Sequence, residues 1–324
     1  MHSISRKLFL YHVVLLAGCS SAPLAVAKPS LNGTVSLIYI ARLYSMRIST
    51  AGKKVMLQNK YNRLEVETNS RRAWINGVMF WLHHPCRKSG SNWAVREMDF
   101  TKGIDPILRS YAHVPKRIPR LVVIDPGHGG KDSGAIGPNK VYEKQVVLDI
   151  SKRIKSHLEA KKIKVCMTRT DDTYPSLKQR SDYTYSVDAD LFLSIHADGA
   201  ADPSACGVET FITTVAGCDS SNHYGQAGDK SEQKNNKYDA ANAVLGFSIQ
   251  SNLVKMSKRS DRGLRRARFS VIKNATCPSA LVECGFVTNP AEESLLNSSS
   301  YRESVARGIS NGILGYCTLV ERAR

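Results

Sequence analysis

The 324-residue chain contains no CxxC pair, no lysine-bearing phosphate loop and no recognisable RNA- or DNA-binding signature. The first absence argues against a cysteine-built zinc site, since such sites rest on closely spaced cysteine pairs. The second concerns the glycine-rich DPGHGG (125–130), which lacks the GxxxxGK[ST] lysine that would hold a phosphate. Acid is also scarce: 28 Asp and Glu face 46 Lys and Arg, for a net charge of +18. The cations are spread along the chain without a nucleic-acid motif. The charge therefore reads as attraction to an anionic envelope surface, or as plain solubility, and not as a nucleic-acid partner. Long apolar runs are missing as well. The longest near the N-terminus, LFLYHVVLLAG (8–18), is too short to span a bilayer.

That run follows Arg6 and Lys7, which gives residues 1–27 the shape of a secretory signal. Two endings are open. Leu16-Ala17-Gly18-Cys19 resembles a bacterial lipobox, which would make Cys19 a lipid anchor to a membrane; Ala25-Val26-Ala27 offers ordinary cleavage before Lys28. The lipobox is the preferred reading, because the apolar run leads directly into it. Either ending exports the chain to the periplasm or cell envelope. Seven cysteines remain beyond Cys19, an odd number for an oxidising compartment. Local disulfides between Cys206 and Cys218, or Cys277 and Cys284, are open alternatives.

Residues 28–112 read as a small β-rich module. VSLIYI (35–40), KVMLQ (54–58), RLEVET (63–68) and VMFWL (78–82) are strand-like runs separated by turn-prone AGKK, TNSRR and NG. The adjacent His83 and His84 would face opposite sides of a strand and read as solvent or turn histidines. HVPKRIPR (113–120) reads as a linker, and 319–324 as a tail. From Leu121 to 318 strands and helices alternate. LVVID (121–125), IKVCMTR (163–169), LFLSIHA (191–197), GVETFIT (207–213) and ALVECGF (280–286) are strands; 146–158, 176–187, 238–257 and the region opened by Asn289-Pro290 are helical. Asn289 with Glu292 has the spacing of a capping box. Such alternation predicts an α/β fold: a twisted, mainly parallel sheet of about six strands flanked by helices.

Three residues stand where open α/β sheets collect ligands. His128 follows the strand 121–125, His196 closes the strand 191–197, and Glu143 begins the helix after the glycine-rich loop. Two imidazoles and a carboxylate can hold zinc and leave a fourth position for water. Glu283 lies between Val282 and Cys284 in an apolar strand, where a carboxylate is costly without a partner. Singly, each has a bland reading as a capped surface histidine, a first-turn glutamate or a structural acid.

Together they carry a resemblance. VVIDPGHGGKDSGAIG (122–137), Glu143 in YEKQVVLDI (142–150), ADLFLSIHAD (189–198) and PSALVECGFVTNP (278–290) closely resemble, in family order, the zinc-dependent N-acetylmuramoyl-L-alanine amidases of bacterial cell walls. The resemblance implies His128, Glu143 and His196 as ligands of Zn2+ and Glu283 as the catalytic acid/base. It also implies cleavage of the amide between N-acetylmuramic acid and L-alanine, in peptidoglycan or a lipid-linked precursor, during wall remodelling, cell separation or recycling. Asp125 is a candidate for orienting His128, and Arg180 for a substrate carboxylate or for structure. RSDRGLRRAR (259–268) reads as an attractor of anionic stem peptide or as a solvated charged face. Two other readings compete. Ser270-Val271-Ile272-Lys273, Ser220-Ser221-Asn222 and Lys88-Ser89-Gly90 loosely match the motifs of penicillin-sensitive serine D,D-carboxypeptidases, in reverse order. A non-catalytic wall-binding regulator would be marked by loss of a ligand or of the acid, yet all four residues are present. Finally, the polar segment 214–237 reads as a flexible surface loop, so the cleft is expected to be open without a partner.

Overall fold

The computed structural model describes residues 33–324. The signal segment, the lipobox with Cys19 and the alternative cleavage before Lys28 lie outside the described residues.

Two sheets organise the described residues. The smaller joins β1 (Thr34–Ser36) to β8 (Asn92–Arg96) and β7 (Arg87–Ser89). The larger has eleven strands. One half is an antiparallel meander of β2 (Arg47–Ala51), β3 (Lys54–Gln58), β4 (Arg63–Glu67), β5 (Arg72–Ile75) and β6 (Val78–Trp81). Alternation drives it: Val55 and Leu57, Leu64 and Val66, and Ala73 and Ile75 are buried while their neighbours are more exposed. Asn76 and Gly77 both have positive φ, as a two-residue turn with right-handed flanking strands requires. The VSLIYI run departs from expectation. Only Thr34–Ser36 is strand; Leu37–Leu43 is helix α1, because Ser36 Oγ accepts from the Tyr39 amide and Leu37, Ile40 and Ala41 share one buried face. Short turns α2 (Glu97–Asp99) and α3 (Asp105–Leu108) complete this part.

The other half holds six strands: β9 (Leu121–Pro126), β10 (Lys164–Met167), β11 (Leu191–Asp198), β12 (Val208–Thr213), β13 (Asp261–Ala267) and β14 (Ser279–Phe286). Their order is β10-β9-β11-β14-β12-β13, with every pairing parallel except β12 against β14. Helices α4 (Glu143–Glu159), α5 (Leu177–Ser186), α6 (Asp239–Ser257), α7 (Ser270–Lys273), α8 (Pro290–Asn297) and α9 (Ser299–Arg322) flank it. The mainly parallel, six-stranded α/β architecture is thus as the alternation predicted. Strand β13 was not anticipated. Its run of arginines looks like a solvated face, yet Leu264, Arg266 and Ala267 are buried and Arg262 and Arg265 both reach Glu209, at 3.0 and 2.7 Å.

Through β13 the two halves become one sheet, since Leu264 pairs with Phe80 of β6. The join is reinforced by the Met79 amide donating to Asp261 Oδ2 at 2.8 Å and Trp81 Nε1 donating to the Arg262 carbonyl at 2.9 Å. His83 also departs from expectation. It is buried at 4% exposure, and its Nδ1 lies 2.9 Å from Asp99 Oδ1, so it is a core histidine and not a solvent one. At α8, Asn289 caps as expected, accepting from Ala291 and Glu292 amides. Glu292 does not complete a capping box; its carboxylate accepts instead from the Gly207 and Phe286 amides, tying the helix to the strand ends. None of the seven cysteines among the described residues is disulfide-bonded, and Cys86, Cys218, Cys277, Cys284 and Cys317 are buried thiols.

Candidate active site

The ends of β9, β11 and β14 and the start of α4 converge on a cleft of about 410 Å³. Strand ends in an open α/β sheet leave such a crevice because the loops that follow them diverge. His128 leaves β9 in a left-handed conformation, with φ of 59°, as the first residue of a tight loop closed by the Gly129 amide on the Asp132 carbonyl at 2.9 Å. That turn brings Asp132 back, so that its Oδ2 lies 2.9 Å from His128 Nδ1. The other ring nitrogen, Nε2, is 3.0 Å from Glu143 Oε1. The same oxygen lies 2.9 Å from His196 Nδ1 and accepts from the Ala197 amide at 3.0 Å, while Oε2 accepts from the Ala135 amide at 2.8 Å.

His128, Glu143 and His196 each offer one ligand atom, and these lie within 4.8 Å of one another. The two imidazoles meet edge to face with centroids 4.9 Å apart. Burial works against charge here, but Glu143 and Asp132 raise the His128 imidazole above its ordinary value. Burial likewise opposes ionisation of Glu143, yet the two histidines hold its carboxyl well below the usual range. A buried carboxylate bracketed by two imidazoles, with one ring oriented by a further acid, is a donor set suited to a divalent cation.

Two glycines make the convergence possible. A Cβ at Gly127 would stand 2.3 Å from the His196 ring, and one at Gly134 would stand 2.5 Å from Glu143 Oε2. Two buried arginines then hold the loop from behind. Arg180 donates to Asp125 and to the carbonyls of Pro126 and His128, at 2.8, 2.7 and 2.6 Å; Arg169 donates to those of Pro126 and Gly127, at 3.0 and 2.6 Å. Arg180 is therefore committed to the backbone beneath the cleft rather than to a substrate carboxylate. Asp125 is also differently employed: its oxygens accept from Thr168, Arg180 and Ser194, so it anchors the strand end, and Asp132 is the acid that orients His128.

Glu283 pairs in register with His196 on one side and Glu209 on the other. It lines the cleft, is 7% exposed, and its Oε2 has no hydrogen-bond partner. Burial, with Asp198, Glu143 and Glu209 nearby, pushes its carboxyl well above the usual range. Asp198, also on the cleft wall, is lifted to about 6 by burial and by Glu209. Opposing these acids stand Tyr174, Leu177, Phe269 and Val271 from the starts of α5 and α7. Asp198 and the apolar wall were not singled out in the sequence; Asp132, four residues after His128 in one glycine-rich turn, was findable by spacing alone.

The serine motifs do not assemble. Ser270 lines the catalytic cleft, Lys273 and Ser220 line a second cavity, and Lys88 and Ser89 a third. The segment 214–237 contributes no residue to the catalytic cleft, in keeping with an open site. It is, however, pinned and not loose. Arg268 donates to the Cys218 carbonyl at 2.9 Å, Asn235 to that of Cys277 at 2.8 Å, and Arg71 stacks on Tyr224 at 4.4 Å.

Comparison with known proteins follows the same boundaries. The type 3 N-acetylmuramoyl-L-alanine amidase family matches residues 122–315. N-acetylmuramoyl-L-alanine amidase AmiA of Salmonella typhimurium is 37% identical over 223 residues, 61% of this chain and 76% of that protein. LytC of Bacillus subtilis, of the same description, is 38% identical over 287 residues, 88% of this chain and 51% of its own. The solved N-acetylmuramoyl-L-alanine amidase from Clostridium difficile 630 superposes with a TM-score of 0.52 at 33% identity, covering 62% of this chain and 97% of its own. Motif order, cleft and relatives agree, and the chain belongs to the N-acetylmuramoyl-L-alanine amidase family of peptidoglycan hydrolases.

Proposed function

We propose that the enzyme is a zinc-dependent amidase that cleaves between N-acetylmuramic acid and L-alanine, with His128, Glu143 and His196 holding the metal and Glu283 acting as acid/base. The observation that carries this reading is the juxtaposition of three convergent donors with an unpartnered, buried Glu283 oxygen in one open cleft. Bound zinc would supply Lewis acidity toward the scissile carbonyl and water.

The rest is the work of the chain. Asp132 fixes the ring of His128, and the Ala135 and Ala197 amides fix Glu143, so the donors are oriented before anything binds. Burial, with Asp198, Glu143 and Glu209 nearby, raises the Glu283 carboxyl above the usual range, the direction a general acid/base needs. As the carboxylate, it would take a proton from attacking water at Oε2, and as the resulting acid return that proton to the leaving amine of L-alanine. The wall of Tyr174, Leu177, Phe269 and Val271 excludes water from one side of the cleft.

The residues 121–318 form the catalytic domain in this reading, with 28–112 a module joined to it edge to edge in the shared sheet and 113–120 the linker between them. The enzyme works at the cell envelope, on peptidoglycan or a lipid-linked precursor, anchored through Cys19. Among the described residues no helix is long and apolar enough to cross a membrane. Digestion of purified peptidoglycan with and without chelator, read by mass spectrometry, tests the reaction. Released stem peptides with a free L-alanine amine, lost on chelation and restored by zinc, are the expected result. Full turnover without metal would defeat it.

A further inference from the structure

We propose that the N-terminal module carries a second site, a basic groove that docks on anionic phospholipid headgroups. Three observations on separate levels lead there. The first is composition. Residues 33–112 hold 13 Lys and Arg against 5 Asp and Glu, whereas 113–324 hold 30 against 23, so the module carries net +8 on 80 residues and the longer remainder +7.

The second is where the acids went. Asp99 and Asp105 are buried, serving His83 and Arg109 respectively. Glu65 is paired with Lys54 and Arg63, and Glu67 with Arg72. The acids of the module are thus largely consumed within it, while Arg42, Arg47, Lys53, Arg87 and Lys88 are exposed.

The third is shape and position. A groove of about 650 Å³, larger than the catalytic cleft, is lined by His84, Arg87, Lys88, Arg96 and Tyr224 among others, with no carboxylate in its lining. His84 Nδ1 is buried there without a hydrogen-bond partner. The groove shares no residue with the catalytic cleft. Thr34 also lines it, so the described chain begins at its edge. Cys19 precedes Gly33 by 14 residues, a tether of at most about 50 Å when fully extended. A chain held at Cys19 would keep this groove, at the start of the described residues, within that reach of the membrane. Juxtamembrane clusters of Lys and Arg are attracted by anionic leaflets, each charge near the surface being worth about fivefold in partitioning.

The test uses the chain from Ser20, which keeps every described residue and omits the apolar run and Cys19. Co-sedimentation with vesicles of phosphatidylcholine containing about 30% phosphatidylglycerol should exceed that with phosphatidylcholine alone, and high salt should abolish the difference. The double variant Arg87→Glu, Lys88→Glu should lower binding at least about 25-fold. Its wall hydrolysis in free solution should stay unchanged, which also shows that it folds. The control Lys152→Glu, Lys161→Glu, on the exposed surface of the catalytic half, should bind nearly as well as the parent. The proposal is overturned if anionic vesicles bind no better than neutral ones, if the control loses as much as the groove variant, or if a soluble polyglycerol phosphate binds the groove while vesicles do not. Failure of the zinc reading would leave the three overturning outcomes untouched, since each is read by binding alone, and the circular dichroism spectrum of the variant would then report its folding.

Discussion

Two histidine–carboxylate arrangements among the described residues have nearly the same contact distance and different capabilities. In the N-terminal module His83 Nδ1 stands 2.9 Å from Asp99, and the neighbouring cavity is only about 10 Å³. In the catalytic half His128 and His196 stand 3.0 and 2.9 Å from one oxygen of Glu143, facing about 410 Å³. Asp99 is spent on its surroundings: besides the ring it accepts from the amides of His83 and His84. Glu143 is also held by amides, but its ligand oxygen remains shared between two rings that open to solvent. An imidazole beside a carboxylate is therefore not itself a site. Convergence of a third donor, and room for a reactant, make the difference.

The sharpest way to break this contrast is to remove a ring from each side. His128→Ala or His196→Ala should abolish metal retention and reduce hydrolysis to background, whereas His83→Ala should leave metal content, read by atomic spectroscopy, at the parent level. Next in size is Glu283→Gln, which should keep the metal and lose activity by ~10²–10⁴-fold. Metal loss in that variant would make Glu283 a ligand instead of an acid/base. Smaller effects belong to the residues behind the site. Asp132→Ala and Arg180→Lys should each weaken metal affinity by roughly 10–100-fold in chelator competition, with Arg180→Lys retaining the fold.

On the module side the contrast appears in stability. Burial lowers the His83 pKa despite Asp99, so the folded state binds this proton less readily than the unfolded chain. His83 therefore contributes stability that is complete above the ordinary histidine value near 6.5 and is lost as pH falls below it. Melting temperatures between pH 8 and 5 should fall less steeply for His83→Gln than for the parent. The smallest expected effect is at the loop that avoids the cleft. Replacing 225–231 with glycine and serine should change kcat/KM by no more than about twofold, with no partner protein required.

Much of the catalytic half was legible because its strands are nearly continuous apolar runs and its helices carry a 3.6-residue stripe. Val122, Val123 and Ile124, or Leu191 to Ile195, leave no other reading. Strand β13 was hidden because its Arg262 and Arg265 are satisfied by Glu209, 53 and 56 residues away, which no local pattern reveals. For the same reason RSDRGLRRAR looked solvated. The α1 segment is ambiguous in sequence since Val35, Leu37 and Tyr39 alternate as in a strand while Leu37, Ile40 and Ala41 follow a helical period, and the Ser36 cap decides between them. At the site, the residue types of the donors were visible; their supports were not. Asp125 precedes His128 closely and looks like its partner, but the left-handed turn at His128 swings the ring away and delivers Asp132 in its place. His83 beside His84 suggested a turn, and burial against Asp99 is a tertiary fact.

The register linking His196 to Glu283 and Glu283 to Glu209 has a consequence for handling the protein. Side chains alternate faces along a strand, so a slip of β14 by one residue would send Glu283 to the opposite side and present Val282 or Cys284 to the cleft. Such a misassembled molecule would keep its helices, its sheet content and even its His128–Glu143–His196 cluster. It would bind metal and turn nothing over. Specific activity divided by bound metal is then a measure of how many molecules in a preparation have their central strands correctly aligned, a quantity that circular dichroism does not see.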